Sequence, residues 1–342
     1  MTRGAPTPPR VTVIIVNYNS GHDLRDCVDT LLTQTFQAFE ILIIDNASAD
    51  GSIEALGDPP AKAKILRQRE NLGFAGGNNL AVRAATTPLV VLLNPDTLAE
   101  PDWLEWLVDA ADRYPDVAMF GSTQIDLARP DRLDGAGDVM HGTGFMYRGH
   151  HGAPAETLPG RGEAFAPCAA AALYRRDAFL GAGGFDEQFF CYCEDVDLAY
   201  RLRLSGHKCY QIAEARVRHK GSASTSKRSD FALYHGSRNR IWTFVKNTPG
   251  PIFWPLIPVH AGLTLILMLM ALRRPKELRA IIRGVGDGLK GLPVIWRDRR
   301  AISRLRTARL GDIARALTWS PMKLARREAD IRPIEEGLGD AP

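Results

Sequence analysis

Three times between residues 11 and 98 an apolar run rich in β-branched side chains stops at Asn or Asp: VTVIIVN (11–17), FEILIID (39–45) and PLVVLLN (88–94). Runs of this kind read as strands buried on both faces. Between them lie segments with helical spacing. Residues 21–35 put Leu24, Val28, Leu31 and Leu32 on one side, and PDWLEWLVDAADRY (101–114) opens with the proline that helix starts favour. Strand and helix alternate over 11–120. That pattern predicts an α/β fold: a mostly parallel sheet with flanking helices. Such sheets take their ligands beyond the carboxyl ends of the strands. The polar ends Asn17-Tyr18-Asn19, Asp45-Asn46 and Asn94-Pro95-Asp96 are then expected along one edge. Each alone is a turn; three in register favour a site.

The remaining segments are less regular. Residues 1–10 are polar and Pro-rich, and are expected to form a flexible arm. AKILRQRENLGFAGGNNLAVRAA gives a short strand, a Gly/Asn loop and a helix. That loop has neither the Gly-Lys-Ser/Thr of a Walker loop nor dinucleotide-type glycine spacing. Its glycines allow close backbone approach, and Asn71, Asn78 and Asn79 offer neutral hydrogen-bonding groups. Residues 121–165 lack periodicity and read as a variable, partly extended region over the site. AFAPCAAAALYRRDAF (164–179) reads as a strand running into a turn or short helix, and KCYQIAEARVRHKGSAS (208–224) as a strand ending at His219.

Charge and apolar content divide the chain. Residues 1–272 carry a net charge of −4 and residues 273–342 a net charge of +8. Just before the basic tail, PIFWPLIPVHAGLTLILMLMAL (251–272) is nearly charge-free. A bilayer span needs roughly 20 apolar residues. Pro251, Pro255 and Pro258 crowd the first half, leaving a clean run only at 261–272. The segment therefore reads as peripheral or re-entrant at an anionic membrane surface, with Trp296, Trp319 and the basic residues beside it. No nucleic-acid motif accompanies the basic tail, so no nucleic-acid partner is expected. The opening MTRGAPTPPR has no apolar core, and the five cysteines are odd in number. A reduced, cytoplasmic setting is expected. Cys191 and Cys193 have no second pair at zinc spacing and read as ordinary thiols.

The chemistry-bearing residues are acids. Asp96 follows a buried strand, where one carboxylate can hold a divalent cation together with phosphate oxygens. Asp45 can accept hydrogen bonds from a base or ribose. In GGFDEQFFCYCEDVDLAYRLRLSGHK (183–208), Asp197 and Arg201 are four apart and can pair on a helix. Glu194 and Asp195 fall at that helix's N-terminus. One of them can cap it, and one can act as a general base; the residues alone leave both open.

Taken in order, VTVIIVNYN, IIDNASADGS, ENLGFAGGNN, VLLNPD, the acidic stretch at 183–208, ARVRHKGSAS and YHGSRNRIWTFVKNTP resemble inverting family 2 glycosyltransferases of the GT-A, Rossmann-like fold. Among these they resemble bacterial rhamnosyltransferases of cell-wall and surface-polysaccharide assembly. The resemblance covers about residues 10–250. It implies a catalytic unit at 11–250, with a nucleotide-sugar half (11–120) and an acceptor half (121–250), followed by a membrane-associating 251–342. It implies that Asn17, Tyr18 and Asp45 line the base and ribose. Asn71, Gly73, Phe74 and Asn78 would close over the nucleotide sugar, with Asn94 beside the diphosphate. Asp96 and His219 would hold Mg²⁺ or Mn²⁺. Asp195 would be the general base, and Glu194 and Tyr192 would shape the acceptor site. Arg238 and Asn239 would lie near acceptor or diphosphate. The metal motif departs from Asp-x-Asp, since its first position is Asn94. The implied donor is dTDP-rhamnose and the implied acceptor a lipid-linked saccharide at the cytoplasmic membrane face. A UDP-hexose donor stays open, as do a sugar nucleotidyltransferase and a non-catalytic scaffold.

Overall fold

The computed structural model describes residues 8–221 and 229–334. The first seven residues of the expected arm lie outside the described residues. In chain order the first half runs β1 (Val11–Asn17), α1 (Asp23–Leu32), β2 (Phe39–Asp45), α2 (Ser52–Ala55), β3 (Ala63–Arg67), α3 (Gly73–Ala84), β4 (Leu89–Leu93), β5 (Thr97–Ala99) and α4 (Trp103–Arg113). It continues through β6 (Met119–Asp126), β7 (Leu133–Ala136), β8 (Asp138–Met140), β9 (Met146–Arg148), β10 (Gly162–Glu163), β11 (Ala171–Arg175) and α5 (Arg176–Gly181). After α6 (Glu194–Leu204) and β12 (Cys209–His219) the chain is helical: α7 (Asp230–Asn247), α8 (Gly250–Met270), α9 (Pro275–Lys290), α10 (Leu292–Leu305), α11 (Leu310–Ala316) and α12 (Pro321–Arg326).

The main sheet has the order β10-β12-β6-β11-β4-β1-β2-β3. β1 pairs in parallel with β2 and β4, and β12 in parallel with β6, while β11 runs antiparallel between β4 and β6. The mostly parallel sheet follows from the buried runs: every residue of β4 and all but one of β1 are buried. Strand order reverses at β1, where β4 and β2 lie on opposite sides, so a crevice opens at their carboxyl ends.

Packing adjusts several sequence expectations. In α1 the core face is Leu24, Cys27, Val28 and Leu31, while Leu32 is exposed. α4 begins at Trp103, two residues after its proline, and Trp103 Nε1 donates to Ser122 Oγ at 2.8 Å within the core. The expected Gly/Asn loop is instead the first half of α3. Glycine disfavours helix, but packing wins here. A Cβ on Gly77 would lie 2.8 Å from Val16, and one on Gly73, at φ +71°, would lie 2.5 Å from the Phe190 carbonyl oxygen.

α8 is continuous through Pro255 and Pro258. Pro251, Pro255 and Pro258 all lie on its exposed side, while Ile252, Phe253 and His260 pack inward on the body. Phe253 joins Phe189, Trp242, Phe244 and Ile295 in a shared apolar cluster. The basic tail is thus packed on the sheet-bearing body through α7. Its last described stretch returns to the sheet: Glu163 N–H donates to Arg332 O at 2.7 Å, and Arg332 N–H to Glu163 O at 2.9 Å.

Candidate active site

Two clusters sit at the carboxyl edge. The first joins the ends of β4 and β12. His219 is buried, and its Nε2 faces Asp96 Oδ1 at 3.3 Å without a well-directed hydrogen bond. Its Nδ1 lies 2.8 Å from Asp134 Oδ2. Asp134 also pairs with Arg148. Burial disfavours a charged His219, but the Asp134 and Asp96 carboxylates outweigh it and raise its pKa. Nδ1 is thus held by Asp134, and Nε2 faces the Asp96 carboxylate. One nitrogen and one oxygen donor, oriented by an outer carboxylate, fit a divalent cation.

The second cluster surrounds a cavity of about 310 Å³. Asp138 from β8, Cys168 before β11 and Asp195 from α6 offer ligand atoms within 4.8 Å of one another. Phe74, Asn94 and Tyr192 also line this cavity. Asp195 Oδ1 accepts from Val196 N–H at 2.8 Å, and Oδ2 from Ala169 N–H at 3.2 Å. Burial raises the Asp195 pKa, partly offset by those N–H groups and by Arg148. Burial and the neighbouring Asp195 push Asp138 up to about 8, and they push Glu194 well above the carboxylate range. The N-cap position of α6 is Cys193, whose side chain makes no cap bond, and Asp195 takes a first-turn N–H, that of Val196.

The segment leading to Asp195 is strained. Phe190, Tyr192 and Cys193 have φ of 65°, 71° and 68°, where non-glycine residues are rare. α7 holds it. The Asn239 amide donates to Phe189 O at 3.0 Å, Cys191 O at 2.9 Å and Tyr192 O at 2.7 Å. Arg238 donates to Gln188 O and Phe189 O and stacks on Trp242. Their polar atoms serve this strap rather than the cavity, where α7 contributes Gly236. Three further residues singled out in the sequence also have partners within the chain. Asn17 is fully buried, with its amide on Ser48 Oγ and Ser52 Oγ at 2.9 Å each. Asn78 donates to Phe74 O, and Asn71 accepts from Asn46 and from Gly73 N–H. Tyr18 is exposed, and Asp45 lies opposite Asn17 in register.

Residues 12–180 match the profile of Glycosyl transferase family 2. This chain is a family 2 glycosyltransferase. Its relatives include the O-antigen biosynthesis protein RfbC of Myxococcus xanthus, 32% identical over 229 residues, covering 63% of this chain and 18% of that protein. They also include the N-acetylglucosaminyl-diphospho-decaprenol L-rhamnosyltransferase of Mycobacterium tuberculosis (strain ATCC 25618 / H37Rv), 29% identical over 254 residues, 66% of this chain and 81% of that one. The chain thus spans less than a fifth of one relative and about four-fifths of the other. Among solved structures, the mannosyltransferase PcManGT from Pyrobaculum calidifontis superposes with a TM-score of 0.52 at 18% identity, covering 91% of this chain and 86% of that chain. GalNAc-T7 superposes at 0.55 with 16% identity, covering 71% and 48%. These likenesses give the GT-A fold.

Asp134, Asp138 and Arg148 escaped the sequence reading. Asp138 and Arg148 face each other across the β8–β9 hairpin. The acids and glycines of LDGAGD were the available signal, inside a segment without periodicity.

Proposed function

We propose that this glycosyltransferase moves a sugar from a nucleoside-diphosphate donor to a hydroxyl of a lipid-linked saccharide, with inversion, at the cytoplasmic membrane surface. The observation that carries the reading is Asp195. It lines a cavity at the crevice edge, held by two backbone N–H groups, with the Asp96–His219 pair on the same edge. Asp195 takes the proton of the acceptor hydroxyl. The freed oxygen bonds to the anomeric carbon from the side opposite the diphosphate, whose bond to that carbon breaks. Asp96 and His219 would hold Mg²⁺ or Mn²⁺, which when bound would offset negative charge on the departing diphosphate. Phe74 and Tyr192 bring apolar surface to the cavity and keep out water, a competing acceptor. Tyr18 and Asp45 are the base-side candidates.

The donor favoured is dTDP-rhamnose: the sugar on the strength of the M. tuberculosis relative's name, the nucleotide on the family resemblance of the sequence. A lipid-linked acceptor rests on the same name and on α8. That helix is 21 residues long; its most apolar stretch of 18 residues has a mean hydropathy of 1.9, and only 22% of that stretch is buried. Residues 11–250 would form the catalytic unit and 251–342 the membrane-facing one.

Calorimetry with dTDP, UDP and GDP, each with Mg²⁺, Mn²⁺ or chelator, tests the reading. One diphosphate should bind selectively and need the cation. Selective UDP binding would move the donor to a UDP-hexose. Folded protein that binds none would overturn the donor site.

A further inference from the structure

A second cavity, about 370 Å³, opens between α7 and α9, and the transfer chemistry does not use it. Lys276, Arg279 and Arg283 line it with Asp230 and Tyr234. The three cations recur at helical spacing, so they form one stripe on α9. All three are exposed. Lys276 and Arg279 have no hydrogen-bond or ion-pair partner among the described residues. Arg283 sits 5.5 Å from the Tyr234 ring, whose hydroxyl donates to Asp287 at 2.9 Å. The wall is rigid because α9 lies hard against α7. A Cβ on Gly284 would come 2.3 Å from Tyr234 O, and one on Gly288 would come 3.1 Å from Ile241.

The surroundings say what such a cleft takes. α9 starts five residues after α8 ends, and the junction exposes Leu269, Met270 and Leu272 at 53%, 71% and 60%. Cations begin where bare apolar surface ends, which is how a protein meets a lipid headgroup. Three cations stand against one carboxylate, an excess that suits two linked phosphates better than one. We propose that the α7–α9 cleft binds the diphosphate of a polyprenyl-linked acceptor, with the chain of that lipid along the exposed end of α8. This rests on the lipid-linked reading above and adds a headgroup site to it.

The test is co-sedimentation with phosphatidylcholine vesicles carrying a few mole per cent of a polyprenyl diphosphate. The wild-type chain should bind them better than plain phosphatidylcholine vesicles. The variant Lys276→Gln/Arg279→Gln/Arg283→Gln should bind them roughly a hundredfold more weakly. A matched variant on α10, Arg297→Gln/Arg300→Gln/Arg304→Gln, should bind as wild type does. Soluble pyrophosphate should compete with the wild type. Equal losses in both variants would reduce the effect to bulk charge and overturn the site. Equal binding to phosphatidylglycerol vesicles without the diphosphate would replace the diphosphate with ordinary anionic lipid and overturn it too. Calorimetry of nucleotide binding, run on the same variants, separates the two readings. Intact nucleotide binding with no vesicle selectivity removes the cleft and leaves the transferase; lost nucleotide binding in every protein removes the donor site first.

Discussion

Asp195 and Asp138 present two carboxyls to one cavity, where burial works against ionising either. Asp195→Asn keeps the shape and, through its one amide oxygen, one of the two backbone N–H partners, but cannot accept the proton. Transfer should fall by a factor of about 100 to 10,000 with nucleotide binding unchanged; near-wild-type turnover would remove Asp195 as base. Asp138 carries a stability prediction. Its folded pKa, about 8, lies above its ordinary 3.8. The folded state therefore favours the protonated form, a contribution complete below the ordinary value and lost as pH rises to about 8. Asp138→Asn has no proton to lose. Its melting temperature should gain on wild type between pH 5 and pH 8, as scanning calorimetry at both pH values would show; a gap that stays the same would mean Asp138 is already ionised in the folded protein. Asp96 and Asp195 drew notice because each follows or starts a patterned element, whereas His219 was singled out through the family resemblance. Asp134, Asp138 and Arg148 were not, because their meeting depends on a hairpin folding back over the sheet edge.

The strap at 189–193 shows one element imposing a conformation on another. Three left-handed, non-glycine residues cost about 1–3 kcal/mol each and persist only where neighbours over-determine them. The Asn239 amide is the main neighbour, and it is fully buried. Asn239→Ala would leave the Cys191 and Tyr192 carbonyls short of a donor, while Phe189 O keeps Arg238, and should destabilise the protein by about 2–4 kcal/mol. Backbone amide exchange should speed up first at 189–194, ahead of the sheet; uniform acceleration would deny the strap its separate dependence on α7. The helical spacing of α7 gave no hint of this, because Arg238 and Asn239 look like solvent or ligand residues until the strap is placed against them. α3 and α8 misled for a related reason. Their glycines and prolines are weak local votes, and burial of Asn79 against Phe185 or Phe253 against Phe244 outweighs them.

Across the whole molecule, exposed large apolar residues are concentrated in the C-terminal helices. Among the described residues, Tyr18 and Leu32 are the two that lie before Trp254. On the membrane-facing reading proposed above, this is the surface that would meet lipid. Replacing Leu265, Ile266, Leu269 and Met270 with Gln should shift the protein from the membrane to the soluble fraction, with a melting temperature changed by only a few degrees. A variant that stays with membranes would place the attachment elsewhere. Removing residues 251–342 outright is a poorer experiment, because Phe253 and Ile295 complete the cluster under Phe189 and Trp242. The return of Arg332 to Glu163 has a mechanical consequence. A load pulling the helices toward a bilayer would not pass through the single covalent junction at residue 250. It would be shared with a second seam at the sheet's far edge, in the manner of a clasp closed at both ends, so peeling the body away from its helices means breaking that hydrogen-bonded seam as well.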